Sequence, residues 1–323
     1  MNRKGSSIDK INLDFEKPIV ELESKIVELK AFAQKSDISM DDKIATLQKD
    51  IAAQKQKIYS NLTPYQTMQM ARHPSRPSFM DYVANICEDY VELCGDRQFG
   101  DDRALVGGVA RLGGRTVVIL GNQKGKNTKE NIERNFGMPK PEGFRKALRL
   151  FYHAQQFNLP VVTLIDTPGA YPGLEAEERG QAEAIARNIR EMSSLRVPIV
   201  GVVMGEGGSG GALAISVVDK LYMLEHSIYS VISPEGCASI LWKDAKLAPQ
   251  AAQALKITAK DLLALGIIDG IIPEPLGGAH VDYPETAQNI KKQVLSALDE
   301  LTALDTATML EKRYAKFKNI GSY

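Results

Sequence analysis

The stretch Val197-Pro-Ile-Val-Gly-Val-Val-Met-Gly-Glu-Gly-Gly-Ser-Gly-Gly-Ala212 decides how this chain folds. Its first half, residues 197–204, is nearly all apolar, as a strand buried on both faces requires. Its second half places five glycines in the seven residues 205–211. Glycine removes the side chain where backbone must approach something closely. Residues 210–218 then read as a helix. The first N–H groups of a helix have no partner within it, and they carry the positive end of its dipole. A turn of this kind can hold a phosphate or a developing oxyanion. Tight packing of strand on helix, with no ligand, is the plainer alternative.

Working outward, the same strand–loop–helix unit recurs. A strand over 160–166 leads through a Pro/Gly loop into a helix over 175–195. Short strands near 221–224 and 229–232 precede a helix over 234–242. A helix over 259–265 is followed by a strand over 267–272, and 284–317 reads as helical. This alternation predicts an α/β body with largely parallel strands. Upstream, apolar runs at 104–112 and 115–121 flank Gly113-Gly114, a pair suited to the positive φ of a tight hairpin turn. A polar, basic loop and a helix near 141–157 come next. Residues 15–58 carry two narrow apolar stripes, Ile19/Leu22/Ile26/Leu29 and Ile44/Leu47/Ile51/Ile58, broken at 36–42. They predict a helical hairpin that packs on a larger body or on another chain. Thr63-Pro64 starts a short third helix, and a fourth is expected over 79–93. The expected division is an N-terminal helical region 1–93, a core 94–280 and a helical segment 281–323.

Composition excludes several classes of function. Forty basic and forty acidic residues leave no net charge, so the chain lacks the basic excess of a nucleic-acid or acidic-membrane binder. A helical membrane span needs about 20 apolar residues, and none is present. The N-terminus lacks the apolar core of a secretory signal. Cys87, Cys94 and Cys237 are too few for a disulfide framework, which predicts a cytosolic setting. The seven-residue spacing of Cys87 and Cys94 suggests one helix face. Three cysteines with no Cys-x-x-Cys pair cannot make a four-cysteine zinc site, and no histidine spacing points to another metal.

Three named motifs compete for the informative loops. Gly205-x-Gly207-x-x-Gly210 fits a dinucleotide fingerprint, with Glu225 at the required distance, but it comes late in the fold. Gly207-x-Ser209-x-Gly211 fits a nucleophile elbow; His280 with Asp261 or Asp269, or else His226, would have to complete the triad. Ser209 is also a good helix cap. Asp166-Thr167-Pro168-Gly169 resembles a nucleotide switch, yet 121–127 lacks the spacing of a phosphate loop. The Asp166–Gly173 loop instead looks like a second backbone turn at the carboxyl end of a neighbouring strand, where ligands bind in open α/β sheets. Lys124, Lys126, Lys129, Arg134, Lys140, Arg145, Lys146 and Arg149, against three acids, give 124–149 a net charge of +5. That is either a solvated face or a site for a polyphosphate such as the tail of coenzyme A. No side-chain nucleophile or base stands out, so backbone donors would carry any catalytic share.

Five blocks carry a resemblance: 134–149 (Arg-Asn-Phe-Gly-Met-Pro-Lys-Pro-Glu-Gly-Phe-Arg-Lys-Ala-Leu-Arg), 165–173 (Ile-Asp-Thr-Pro-Gly-Ala-Tyr-Pro-Gly), 205–214, 230–243 and 269–280. Together they closely resemble the carboxyltransferase alpha subunits of bacterial or plastid-type acetyl-coenzyme A carboxylase, over about residues 14–280. The resemblance implies a crotonase-like (ClpP-like) spiral of ββα units with an N-terminal helical extension. It implies an α2β2 complex with a beta subunit that holds the zinc, so no cofactor is expected on this chain. The implied partners are that beta subunit, biotin carboxyl carrier protein and biotin carboxylase, in a cytoplasmic or plastid-stromal setting. The implied reaction moves a carboxyl group from carboxybiotin to acetyl-coenzyme A, giving malonyl-coenzyme A at the entry to fatty-acid synthesis. By motif match, the backbone amides of Gly210 and Gly211 form an oxyanion hole for biotin. Gly207, Gly208, Gly169, Ala170, Lys124 and Lys126 are the expected substrate-binding residues. A serine hydrolase using Ser209 and a non-enzymatic assembly scaffold are the alternatives.

Overall fold

The computed structural model describes residues 12–36 and 39–321. The two striped segments form α1 (Lys17–Ser36) and α2 (Asp41–Tyr59). Ile19, Ile26, Ile51 and Tyr59 close their shared seam with Leu22, Ile44 and Leu47, and Met70 of the next helix joins that cluster. Helix α3 (Pro64–Ala71) opens on Thr63, whose hydroxyl accepts the Gln66 N–H while the Gln66 side chain accepts the Thr63 N–H. Helix α4 (Phe79–Ile86) is shorter than the helix expected over 79–93. From Cys87 the chain is extended as β1 (Cys87–Glu92), paired antiparallel along a sheet edge. Pairing with that edge satisfies a row of backbone groups that local helical periodicity leaves out of account. The shared helix face expected for Cys87 and Cys94 is therefore wrong: Cys87 opens a strand and Cys94 lies beyond its end.

Strands β2 (Leu105–Leu112) and β3 (Arg115–Asn122) form the expected hairpin, with Gly113 and Gly114 at φ of 56° and 81°. The basic loop contains a short helix, α5 (Thr128–Glu133), capped by Asn127. Beyond it lie α6 (Pro141–Gln156) and β4 (Val161–Thr167). The helix expected over 175–195 is two, α7 (Leu174–Glu178) and α8 (Gln181–Ser193), divided at Gly180 with φ of 84°. Next come β5 (Ile199–Gly208), α9 (Ser209–Leu213), β6 (Lys220–Leu224), β7 (Ile228–Ser230) and α10 (Pro234–Trp242). The chain ends with α11 (Ala248–Leu255), α12 (Ala259–Ala264), β8 (Gly270–Ile272), α13 (Tyr283–Thr302) and α14 (Thr306–Asn319).

The strands join one sheet in the order β1-β2-β3-β4-β5-β6-β8, with β7 pairing the far end of β5. Pairing is antiparallel from β1 to β3 and parallel from β3 onward. Every residue of β4 is buried. Its alternate side chains enter two cores: Val161 and Ile165 join Phe144, Leu150 and Val203, whereas Val162 and Leu164 join Phe79, Tyr82 and Ile290. Period-two alternation between two covered faces is why β4 carries apolar residues at both odd and even positions, Val161, Val162, Leu164 and Ile165. Helix α14 is anchored by Arg313, which is 1% exposed. Its guanidinium donates to Asp219 at 2.8 Å and to the carbonyls of Met192, Leu195 and Val197 at 2.7–3.0 Å. A buried guanidinium is tolerable only when its donors are spent in this way.

Candidate functional site

Strand β5 delivers the glycine turn to the carboxyl edge of the sheet, and two neighbours hold it there. On one side Glu206, Gly207 and Gly208 pair with Ile228, Tyr229 and Ser230 of β7. On the other, β4 pairs in step as far as Ile165↔Val203 and resumes at Thr167↔Gly207. Asp166 alone therefore faces Met204, Gly205 and Glu206, so β5 carries two extra residues in a bulge. Bulges bend a strand and re-aim the residues beyond them.

The first residue beyond this strand is Ser209, exposed and in the left-handed region with φ of 54°, and it opens the first turn of α9. A non-glycine residue held at positive φ is strained by about 1–3 kcal/mol, and such residues cluster at functional sites. Gly210 is half-buried and Gly211 buried. Among the described residues, neither N–H has a hydrogen-bond acceptor outside the helix. Their position in its first turn leaves them without one inside it.

The second loop, residues 166–173, lies directly on this turn. A Cβ on Gly211 would stand 2.4 Å from the Gly169 carbonyl carbon and 2.5 Å from the Ala170 nitrogen. One on Gly208 would stand 2.2 Å from the Pro168 oxygen. The two backbones thus touch without side chains between them. Thr167 stiffens the second loop, its hydroxyl donating to the Gly169 carbonyl at 2.7 Å and accepting the Gly169 N–H at 3.1 Å. Gly207 faces the Tyr229 ring. Gly169, Ala170, Gly207, Gly208, Gly210 and Gly211, singled out from sequence, are brought together.

The basic run is divided by the fold. Arg145 pairs with Asp96 and Glu142, Lys146 is fully buried against Asp101 and the Asp102 carbonyl, and Arg149 donates to the carbonyls of Leu93, Cys94 and Gly95. These three staple the 93–102 segment to α6. Lys124 and Lys126 remain beside the site, lining a cleft with Arg72, Arg76, Ser78 and Asp166. Each has a carboxylate partner, Asp166 at 2.6 Å for Lys124 and Asp81 for Lys126.

The triad expected of a hydrolase is not assembled. Asp261 binds its own cap, Thr258, and Asp269 binds the Leu221 N–H and Lys316. His226 bonds Glu274, and His280 stacks on His73 at 3.9 Å. Glu274 also takes Arg76 at 2.7 Å and 2.9 Å. Burial opposes its ionisation, but Arg76 and His226 outweigh that and hold the carboxyl well below its usual range. Sequence reasoning passed over Asp166 as a site residue and missed the Arg72 bridge between Glu206 and Glu235. The signals were an acid near the end of a mostly apolar strand and its place at the head of the 166–173 loop. Among the described residues no group of His, Cys, Asp or Glu could hold a metal ion, and no helix is long and apolar enough to cross a membrane.

Residues 12–321 match the family described as acetyl co-enzyme A carboxylase carboxyltransferase-like. Proteins of Yersinia pestis and Yersinia pseudotuberculosis named acetyl-coenzyme A carboxylase carboxyl transferase subunit alpha are 58% identical over 312 residues, covering 96% of this chain and 98% of theirs. Among solved structures, transcarboxylase 12S has a TM-score of 0.57 at 24% identity, over 70% of this chain and 41% of that one. The beta subunit of Pseudomonas aeruginosa geranyl-CoA carboxylase has a TM-score of 0.54 at 20% identity, over 74% and 45%. A Pseudomonas malonate decarboxylase hetero-tetramer in complex with coenzyme A has a TM-score of 0.56 at 17% identity, over 67% and 86%. These likenesses give the crotonase-like fold.

Proposed function

The chain belongs to the acetyl-coenzyme A carboxylase carboxyltransferase alpha family, and from that membership we propose how it carries out its part of the carboxyl transfer to acetyl-coenzyme A. The donor is carboxybiotin on a carrier protein. As the carboxyl group leaves, negative charge builds on the ureido oxygen of biotin. The amides of Gly210 and Gly211 donate to that oxygen. Losing one donor of this type raises a barrier by about 3–4 kcal/mol. The observation that carries this reading is the pair of first-turn N–H groups without acceptors, on a backbone that two loops hold rigid. Donors fixed before the reaction need no reorganisation during it.

Gly207, Gly208, Gly169 and Ala170 shape the approach by letting the two loops close on each other. Lys126 is the exposed cation of the cleft and faces the anionic part of a substrate; Lys124 works closer in, against Asp166. The decarboxylated ureido group is the base for the acetyl methyl, which is why this chain contributes no protein base. A beta subunit in an α2β2 complex holds the thioester enolate and carries the zinc. Exposed Val231, Ile240 and Leu241, on and beside α10, suit a surface that a second chain covers. Biotin carboxyl carrier protein delivers the donor after biotin carboxylase has loaded it.

The test is carboxyl transfer from malonyl-coenzyme A to biocytin. The chain alone should be inactive, and activity should appear on mixing with its beta subunit. Turnover by the isolated chain at the full rate of the complex would end the divided-site reading.

A further inference from the structure

The two-residue bulge in β5 leaves backbone groups that the β4–β5 ladder no longer pairs. Two side chains take their place: Arg76 donates to the Met204 carbonyl at 2.6 Å, and Asp166 answers the N–H side. Asp166 Oδ1 accepts the Glu206 N–H at 2.9 Å and Lys124 Nζ at 2.6 Å. The same oxygen would lie 2.6 Å from a Cβ on Gly205, so residue 205 must be glycine for the carboxylate to enter the bulge. The Asp166 N–H donates to the Asn122 side-chain oxygen at 3.2 Å, which ties the main chain that carries the carboxylate to the end of β3. From the far side Arg72 holds the Glu206 carboxylate at 2.5 Å and 2.9 Å. Two residues beyond Asp166 begins the backbone segment, Pro168 to Ala170, that lies on Gly208 and Gly211. Asp166 therefore governs both strands where they enter the glycine turn.

We infer that Asp166, held by Lys124, is a positioning residue: it sets the bulge that aims the Gly210 and Gly211 amides. The inference rests on the proposed role of those amides in holding the reacting anion. It assigns Lys124 to Asp166 rather than to a substrate phosphate. A buried carboxylate with one cation and one N–H to satisfy stays put only while both are present. Removing either partner lets the bulge relax and the amides swing. Donors displaced by a fraction of an ångström lose transition-state stabilisation while ground-state binding survives.

The test uses the full chain in complex with its beta subunit, as native protein and as D166A, D166N and K124M. The readouts are transfer from malonyl-coenzyme A to biocytin and amide hydrogen exchange at residues 205–212. D166A should lower kcat about 30-fold or more with KM for malonyl-coenzyme A within about twofold, on the scale of a misplaced oxyanion donor. D166N keeps an acceptor oxygen and should recover most of that loss; K124M should fall between. Exchange at 205–212 should rise in D166A and K124M without a matching rise across the sheet core. A D166A kcat within threefold of native overturns the inference, as does a defect confined to KM, or exchange unchanged in the turn. If D166A does not fold, K124M decides: a kcat within threefold of native, a defect confined to KM, or unchanged exchange in the turn overturns the inference. A native complex with no transfer activity would sink the functional reading instead, while the exchange result would still judge the bulge.

Discussion

Gly210 and Gly211 look alike in sequence and sit in different surroundings. A Cβ on Gly210 would meet only the Ile185 side chain, at 3.5 Å, whereas one on Gly211 would drive into the backbone of Gly169 and Ala170. Overpacking against backbone costs about 1–3 kcal/mol, because backbone has nowhere to retreat. We expect Gly211→Ala to lose about that much stability and Gly210→Ala to lose less than about 1 kcal/mol, measured as the shift in urea midpoint at constant m-value. Equal losses would mean that the two loops are not packed as described. The glycine-rich composition of the turn was legible, and so was its position between strand and helix. Which glycine faces a neighbour and which faces open space was not, since that depends on a loop 40 residues earlier. Ser209 shows the same limit: its motif suits a nucleophile, yet His226 is engaged by Glu274 and His280 stacks on His73.

Among the elements, those with local chemistry at their ends were readable. Gly113-Gly114 turns a hairpin, and Thr63-Pro64 starts a helix with a reciprocal cap. Thr63→Ala should cost about 1 kcal/mol, the usual penalty for an exposed Ser/Thr cap; an unchanged thermal midpoint would show that α3 is held by packing alone. Elements defined by distant partners were misread. Residues 87–92 have a pattern that suits either helix or strand, and only the free edge of β2 makes them a strand. The helix around 175–195 breaks at Gly180, which has the left-handed conformation of a chain reversal. The basic run read as one face, yet Arg145, Lys146 and Arg149 turn inward to fasten a loop while Lys126 stays outside. Charge per segment says nothing of direction until helix α6 is docked.

At the scale of the molecule, a buried polar cluster ties the N-terminal helices to the end of the sheet. His73 and Arg76 come from the α3–α4 connection, His226 from the β6–β7 connection, and Glu274 and His280 from the chain after β8. Burial first, and then the neighbouring His73 and Arg76, push His280 down to about 4. An imidazole depressed in the folded state is protonated first in the unfolded chain, near pH 6.5. Its contribution is therefore complete above about pH 6.5 and is lost as pH falls towards 4. Glu274, also depressed, adds stability that is present above the ordinary carboxyl range and lost as pH falls below it. We expect urea midpoints to drop between pH 6.5 and 4 in the native chain, and His280→Gln to flatten that limb. Parallel curves for the two proteins would exclude His280 as the source.

By itself, the sequence determined the class of fold, the place of the glycine turn, the hairpins and the family. All of these rest on periodicity, on glycine and proline chemistry and on long contiguous blocks, which are properties of neighbours along the chain. Only the tertiary structure decided that Asp166 fills a bulge in β5, that Gly211 faces Gly169, and which cations of one run are spent on carboxylates. Those outcomes depend on contacts between residues far apart in sequence. Their free energy exists only once the strands are in register, so no local window can carry it.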